Sequence, residues 1–408
     1  MSTIKKELGA LYVIQIANFA IPLITMPYLT YVLGINNFGK IAYFNALLGL
    51  MGFFIDFGFG MSASKSIAIA KKEDLSRIYS NVQFTRIIIF MITNFAFYIY
   101  CEIVGNLDFP FYLLIIATLG VVFTPSWLFV GLSKNFILAK LTLISKLLLL
   151  VFIILIVQNR MDYVKVIFLY AICNVIIGIF STYTVGNILN IKYDFKKIDL
   201  SIIKIEIKSS TEIFWASFFT LGHTYLTPII LKHFVNDAAV GIYSILEKIL
   251  MLLRQIYGPI TVVFYPKICQ YFVNNEKHIV KKINIRVLMI FLAVGISAWL
   301  SNYFVGNNVL EVIFPNLGAV LRNFLNIGIA IQIVISIAMI LVNFIIIPSG
   351  QTSVLKYLYF IGFFLYALCI YFLKDNLKLG TVLYLILFLE VLLTVSFYVF
   401  IKYRKILD

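Results

Sequence analysis

Charge is what this chain has least of. Only 12% of its 408 residues are Asp, Glu, Lys or Arg, against about 25% in an ordinary soluble protein. Histidine is nearly missing, with three unclustered copies, and the four cysteines (Cys101, Cys173, Cys269, Cys369) form no Cys-x-x-Cys pair and no metal-ligand spacing. No metal centre is therefore signalled, and the cysteines read as small apolar fillers. No G-x-x-x-x-G-K-[ST] loop occurs, so the chain offers no such cradle for ATP phosphates, and no cofactor is expected. The short alternating segments of a membrane β-barrel are lacking as well.

Apolar residues fill the space. The chain is 62% hydrophobic and 16% aromatic, with a mean hydropathy of +1.00. Its apolar runs last about 20 residues, the length of a helix that crosses a bilayer. The fold class expected is an all-α polytopic membrane protein. Lys and Arg number 33 against 18 Asp and Glu, a net charge of +15. On a soluble domain that excess would suggest nucleic acid; in a polytopic protein it marks cytoplasmic loops, and no nucleic-acid partner is expected.

About twelve spans can be placed, near 10–33, 41–63, 84–104, 110–131, 141–158, 163–187, 212–234, 238–265, 287–305, 323–347, 354–373 and 379–401. Basic residues gather in alternate loops, notably 65–77, 134–140, 190–210 and 267–286, which puts both termini in the cytoplasm. The outer links are short and leave little room for an external domain. Lys5 and Lys6 precede an apolar run too long for a signal-peptide core and without a small-x-small cleavage site, so the first span is expected to act as an uncleaved insertion signal. The longest polar stretch, 190–210, separates two halves. Asn36 and Asn236, Tyr43 and Tyr243, Leu50 and Leu250, and Met51 and Met251 fall in step across them. The expected architecture is thus two pseudo-symmetric six-helix bundles, 1–189 and 211–408, joined by a cytoplasmic linker at 190–210, with a central cavity where transporters of parallel-repeat form keep their site.

The span 238–265 is the one whose polarity cannot be ignored. At about 100° per residue, Tyr243, Ser244, Glu247, Lys248, Met251, Arg254, Gln255 and Gly258 share one arc, and Ile245, Ile249, Leu252, Leu253 and Ile256 the other. Each ionised group at bilayer depth costs at least ~2.5–3.5 kcal/mol, so such an arc should meet protein or water. Glu247, Lys248 and Arg254 form either a self-neutralising packing network or a cationic lining for an anionic substrate, since guanidinium and ammonium groups pair with phosphate. Elsewhere, Gln15, Asn18 and Pro22 share a face of the first span, as a kinked packing helix or as a path lining. Asn45, Gly49, Gly52 and Asp56 align on the second. Asp56 reads as an interfacial carboxylate or as an acid coupled to a proton or cation. His223, beside the stripe Ser217, Thr220, Thr224 and Thr227, reads as a packing residue or as a proton relay.

The local sequences resemble a known family. Asn18…Pro22…Pro27-Tyr28-Leu29…Leu33-Gly34…Phe38-Gly39 and Phe54-Ile55-Asp56-Phe57-Gly58-Phe59 are similar to the start of bacterial polysaccharide flippases of the O-antigen (Wzx) type. Pro125-Ser126-Trp127-Leu128-Phe129-Val130-Gly131 resembles their fourth span, and Gly241-Ile242-Tyr243 with Lys248, then Tyr265-Pro266, their eighth. The resemblance implies the fold of the multidrug/oligosaccharidyl-lipid/polysaccharide exporters, a bacterial inner-membrane location and no enzymatic activity. The implied substrate is an undecaprenyl-diphosphate-linked oligosaccharide, flipped to the outer leaflet by alternating access and driven by protons or sodium ions. Membrane lipids and other polysaccharide-assembly proteins would be its surroundings. On this reading Lys248 and Arg254 hold the diphosphate, Asn18, Asn45, Tyr243 and Gln255 line the sugar chamber, and Asp56, Glu247 and His223 are candidates for ion coupling. Two family features are missing: Thr30-Tyr31 stand where an Arg often follows Pro-Tyr-Leu, and Leu132-Ser133-Lys134 where a Glu often follows the fourth-span Gly. The competing expectations are an ion-coupled drug or metabolite exporter of the same superfamily and a membrane polysaccharide polymerase, the latter disfavoured by the short outer loops.

Overall fold

In the computed structural model the backbone is described over residues 2–105 and 108–407; side chains at 2–20, 220–223, 256, 259, 262 and 307 lie outside the description. Among the described residues there is no strand. The helices in chain order are α1 (Ser2–Asp56), α2 (Phe59–Ile69), α3 (Leu75–Val104), α4 (Tyr112–Val122), α5 (Ser126–Gly131), α6 (Asn135–Ile156), α7 (Tyr163–Tyr183), α8 (Leu200–Phe234), α9 (Asp237–Val273), α10 (Lys277–Phe304), α11 (Gly306–Ile313), α12 (Gly318–Leu341), α13 (Ser353–Leu373) and α14 (Leu379–Tyr403). Nine helical stretches of the described residues are long and apolar enough to cross a membrane. The protein is all-α and polytopic, as its apolar runs require. The chain divides into two compact units, Met1–Phe218 and Phe219–Asp408, and the division falls inside α8. The polar stretch 190–210 ends as the first turns of that helix.

In the first unit, helix breaks decide the shape. α1 turns once, at Gly34 (φ 76°, ψ 162°), a conformation open to glycine and strained for other residues. Around Pro22 and Pro27, Thr25 donates to Pro22 O (3.2 Å) and Thr30 to Met26 O and Pro27 O (both 2.9 Å), which ties hydroxyls to helix carbonyls in the manner membrane helices use around proline. The second break lies at Phe57–Gly58, where Gly58 is left-handed (φ 80°). A Cβ there would stand 2.7 Å from Ser210 O, so the break lets α8 come close, and Ser62 and Ser210 hydroxyls lock the contact at 2.6 Å.

The third break, Phe123–Pro125 between α4 and α5, is held by a charge. Proline ends the helical bonding and leaves the carbonyls at the break with only local donors, Thr124 N to Val121 O (3.2 Å) and Ser126 N to Thr124 O (2.9 Å). Arg86, buried on α3, adds a charged donor: its guanidinium donates to Val121 O (3.1 Å), Val122 O (3.0 Å) and Thr124 O (3.4 Å). Gln83 Nε2 adds a bond to Val122 O at 2.9 Å. A cation at a helix C-terminus also opposes the negative end of the helix dipole. Below the break, Trp127, Leu128 and Phe129 are fully buried against Phe59, Ala63 and Ile67 of α2. α4 crosses α7 where Gly120 meets Gly178, with a Cβ on Gly178 only 2.8 Å from Gly120 O; small residues allow such close helix approach in lipid.

Loop contacts sort the ends of this unit. At one end Lys40 pairs with Asp108 (3.6 Å), Asn37 donates to Arg160 O (2.7 Å) and Tyr28 to Val157 O (2.7 Å). At the other, Arg77 pairs with Asp199 (2.7 Å) and Asn81 donates to Lys197 O (2.9 Å). The segments 34–40, 108–110 and 157–162 thus keep together, apart from 70–81 and 194–199, as alternating spans demand. Asp199 accepts from the Ser201 hydroxyl and amide and from Arg77, which lower its pKa to about 2. The start of α8 therefore keeps its charged cap at physiological pH. The cap's contribution is full above the unfolded value of about 3.9 and is lost as pH falls through about 2.

Replacing Arg86 by Met should remove the charged donor from three carbonyls, each of which keeps one other donor (Thr124 N, Gln83 Nε2 and Ser126 N), at about 1.5–3 kcal/mol in all, the range for hydrogen bonding to a charged group. Thermal unfolding of the purified protein should then begin several degrees lower, with Arg86→Lys in between because an ammonium cannot span the three acceptors. An unchanged unfolding midpoint for Arg86→Met would remove the guanidinium from this role.

Candidate functional site

α9 carries the polar arc. Its start is fixed by the Asn236 side chain, which accepts from Ala239 N (2.9 Å), and by Asp237, which accepts from Lys232 Nζ (2.6 Å). The helix then runs through Gly258–Pro259 without interruption. One edge of the arc packs into the second unit: Tyr243, Leu246, Leu250 and Tyr257 are buried, Leu250 against Gly328 of α12 and the Tyr257 ring 4.4 Å from that of Phe291 on α10. Ile245, on the arc assigned to lipid by periodicity, is fully buried too. The helix is thus covered on more than its polar side.

Arg254 is the arc's anchored cation. Its Nε donates to Gln332 Oε1 at 2.7 Å, and Gln332, on α12, is 1% exposed. Nε2 of Gln332 has no hydrogen-bond partner among the described residues. Beyond that anchor Arg254 forms part of the wall of a cavity of about 260 Å³ enclosed by helices of the second unit. Its other polar walls are Thr224 of α8, Asn343, Tyr359 and Tyr366 of α13, and Glu390 of α14. Asn343 stands in a π-helical turn, Val342–Ile346, that follows α12; such turns widen a helix and often mark functional sites. The Glu390 carboxylate lies within electrostatic reach of Arg254. Next to the cavity, the Thr227 hydroxyl bonds the Tyr366 hydroxyl at 2.9 Å and also bonds Tyr243. One guanidinium, one carboxylate, one amide and several hydroxyls thus converge on a cavity otherwise walled by rings and aliphatic groups, the usual make-up of a ligand site.

The residues singled out by sequence fare differently. Arg254 is on the wall and Tyr243 is linked to it through Thr227. Glu247 is half-buried and interacts electrostatically with Lys248 and Arg254. Lys248 is half-buried and Gln255 exposed, and neither is among the described residues lining the cavity. Six helical positions place Lys248 about a third of a turn from Arg254. Asn45 is half-buried on α1. Asp56 ends α1, and its Oδ2 accepts from Gly60 N at 3.2 Å across the break to α2. The side chains of Asn18 and His223 lie outside the described residues. Among the described residues no three His, Cys, Asp or Glu side chains gather as a metal would need.

Four important residues went unmarked by the polar arc. Glu390 and Arg86 carried a signal that each shares with the α9 charges, a lone charge in an apolar run. Gln332 and Asn343 carried less, being neutral amides in the span 323–347.

The profile of a family described as "Polysaccharide biosynthesis protein" matches residues 4–272, about two thirds of the chain. The chain belongs to this family. Among curated members of known sequence, a putative O-antigen transporter of Shigella dysenteriae is 25% identical over 361 residues, 88% of this chain and 90% of the relative. A putative O-antigen transporter of Escherichia coli (strain K12) is 25% identical over 281 residues, 67% of each chain. The fold of this polysaccharide biosynthesis protein is similar to that of a multidrug resistance MATE-family transporter of the MOP superfamily, a structure described as inward-facing. That match has a TM-score of 0.67 at 13% identity and covers 97% of this chain and 98% of the other. A MATE protein in complex with MaL6 follows, with TM-score 0.58, 11% identity and 98% and 95% coverage. The protein is thus a multi-pass membrane protein of the polysaccharide biosynthesis family, with a fold similar to that of the MOP transporters.

If Gln332 anchors Arg254, Gln332→Leu should cost about 1.5–3 kcal/mol of stability, the range for a hydrogen bond to a charged group. Gln332→Glu, which keeps the acceptor, should stay close to the original. Thermal unfolding of the purified variants checks this, and equal midpoints for Gln332→Leu and the parent would dissolve the anchor.

Proposed function

We propose that this chain is a flippase that carries undecaprenyl-diphosphate-linked polysaccharide repeat units from the cytoplasmic to the outer leaflet of the bacterial inner membrane by alternating access. The observation that carries the proposal is Arg254: a guanidinium near the middle of α9, bonded among the described residues through Nε to buried Gln332, at a polar cavity, in a chain whose family is described by polysaccharide biosynthesis. A charge kept there at a cost of several kcal/mol is expected to serve a ligand, and a guanidinium suits phosphate oxygens. The O-antigen transporter names of the two relatives support the same substrate class. On this proposal Arg254 and Lys248 take the diphosphate, and the lipid tail remains among acyl chains. Asp56, Glu247 and His223 remain candidates for coupling to a proton or sodium gradient, with Glu390 added to them. On this proposal the basic loops 65–77 and 190–199, and both termini, face the cytoplasm, the side that an excess of Lys and Arg favours.

The test is a complementation. In cells lacking the gene, the parent chain should restore surface polysaccharide. The double variant Lys248→Gln, Arg254→Gln should not, while reaching the membrane in equal amount. Normal polysaccharide with the double variant would refute the assignment.

A second reading, ion-coupled drug export, draws on the MATE likeness. A cavity for cationic drugs would favour unopposed carboxylates, whereas Glu390 faces the field of Arg254. Raised drug resistance in overexpressing cells, with no polysaccharide defect on deletion, would favour that reading instead.

A further inference from the structure

The cavity of the second unit has a chemistry narrower than its family requires. It is walled by Arg254, Asn343, Glu390, Tyr359, Phe363 and Tyr366, with Gly362 and Ala338 adding little bulk to the wall. At about 260 Å³ it lies below the ~300–1,000 Å³ of drug-sized pockets. A bare metal cation would need six or so oxygens drawn in to within about 2.6 Å, not a roomy chamber with a guanidinium on its wall. A second anion would meet the Glu390 carboxylate. An apolar ligand would make no use of the carboxylate, amide and guanidinium on the wall, the groups that fix orientation and specificity in a ligand pocket. What remains is a compact neutral molecule, rich in both donors and acceptors, with apolar faces for the rings.

We infer that this cavity receives one uncharged sugar ring, the one bonded to the diphosphate of the transported lipid. The inference rests on the flippase proposal, which puts the diphosphate on Arg254. The sugar attached to that phosphate must then lie within a few bond lengths of the guanidinium, and the cavity that Arg254 borders is the space available to it in this unit. Glu390 and Asn343 accept from and donate to ring hydroxyls. The faces of Tyr359 and Phe363 cover the ring's C–H groups. Glu390 has a second consequence: it sets specificity against a uronic acid at this position, because two carboxylates in a low-dielectric site repel strongly.

The test uses the purified full-length chain in lipid nanodiscs and saturation-transfer NMR with methyl glycosides as probes. Methyl glucoside, methyl galactoside and methyl N-acetylglucosaminide stand for neutral rings, and methyl glucuronide for an acidic one. At least one neutral glycoside should show transfer in the parent, and glucuronide should not. Ala338→Leu, which fills the cavity with aliphatic carbon, should weaken the neutral signal about tenfold or more. Glu390→Gln, which keeps volume and hydrogen bonding but removes the charge, should gain glucuronide binding by about tenfold, the equivalent of 1.4 kcal/mol. That gain cannot come from a misfolded protein. The inference is overturned if no neutral glycoside binds, if Ala338→Leu binds as the parent does, or if glucuronide binds the parent as well as neutral rings do. Complementation reports separately on the flippase proposal: a gene dispensable for surface polysaccharide would sink that proposal even where neutral glycosides bind as described.

Discussion

A charge or a broken helix inside lipid has no water to turn to, and this constraint governs the structure in both units. Arg86 and Arg254 answer it in opposite ways. Arg86 spends its two terminal guanidinium nitrogens on the carbonyls at the Phe123–Pro125 break, so the cation is held by the interrupted helix. Among the described residues Arg254 is held by a bond to a buried amide and borders a cavity. The first arginine is absorbed by the fold. The second is presented by it.

That difference explains which parts of the molecule could be read from the sequence. Apolar run lengths give the helices, since a bilayer-spanning run has few other outcomes, and the all-α polytopic fold follows. The break at Gly34 was legible as the end of the first expected span, whereas the break at Pro125 falls inside the expected span 110–131, and its partners were not legible either. Nothing local tells Arg86 that its acceptors lie some 35 residues on. The α9 arc was legible as polar by periodicity, yet periodicity treats all its members alike. Packing separates them: Arg254 sits on the edge that meets α12, while Lys248, about a third of a turn away, is off the cavity wall. Ile245 shows the same limit from the apolar side, buried where periodicity alone pointed it at lipid.

The cavity itself depends on residues from five stretches of chain that no linear motif joins. Glu390, in the last span, lies more than a hundred residues from Arg254, and Asn343 owes its place to a π-helical turn. On the flippase proposal the walls describe recognition only when read together, a cation for phosphate beside a carboxylate and an amide for hydroxyls. A fold shared with multidrug transporters at 13% identity is compatible with this, because the architecture fixes how helices surround a space and leaves the chemistry of that space to a few side chains.

The most direct measurement is transport by the purified chain. Proteoliposomes loaded on one leaflet with an undecaprenyl-diphosphate-linked oligosaccharide, under an imposed ion gradient, should expose the sugar to an external lectin when they contain the parent protein. Those containing Arg254→Gln should not. Equal exposure by the two proteins, or none by the parent under either a proton or a sodium gradient, would contradict the account.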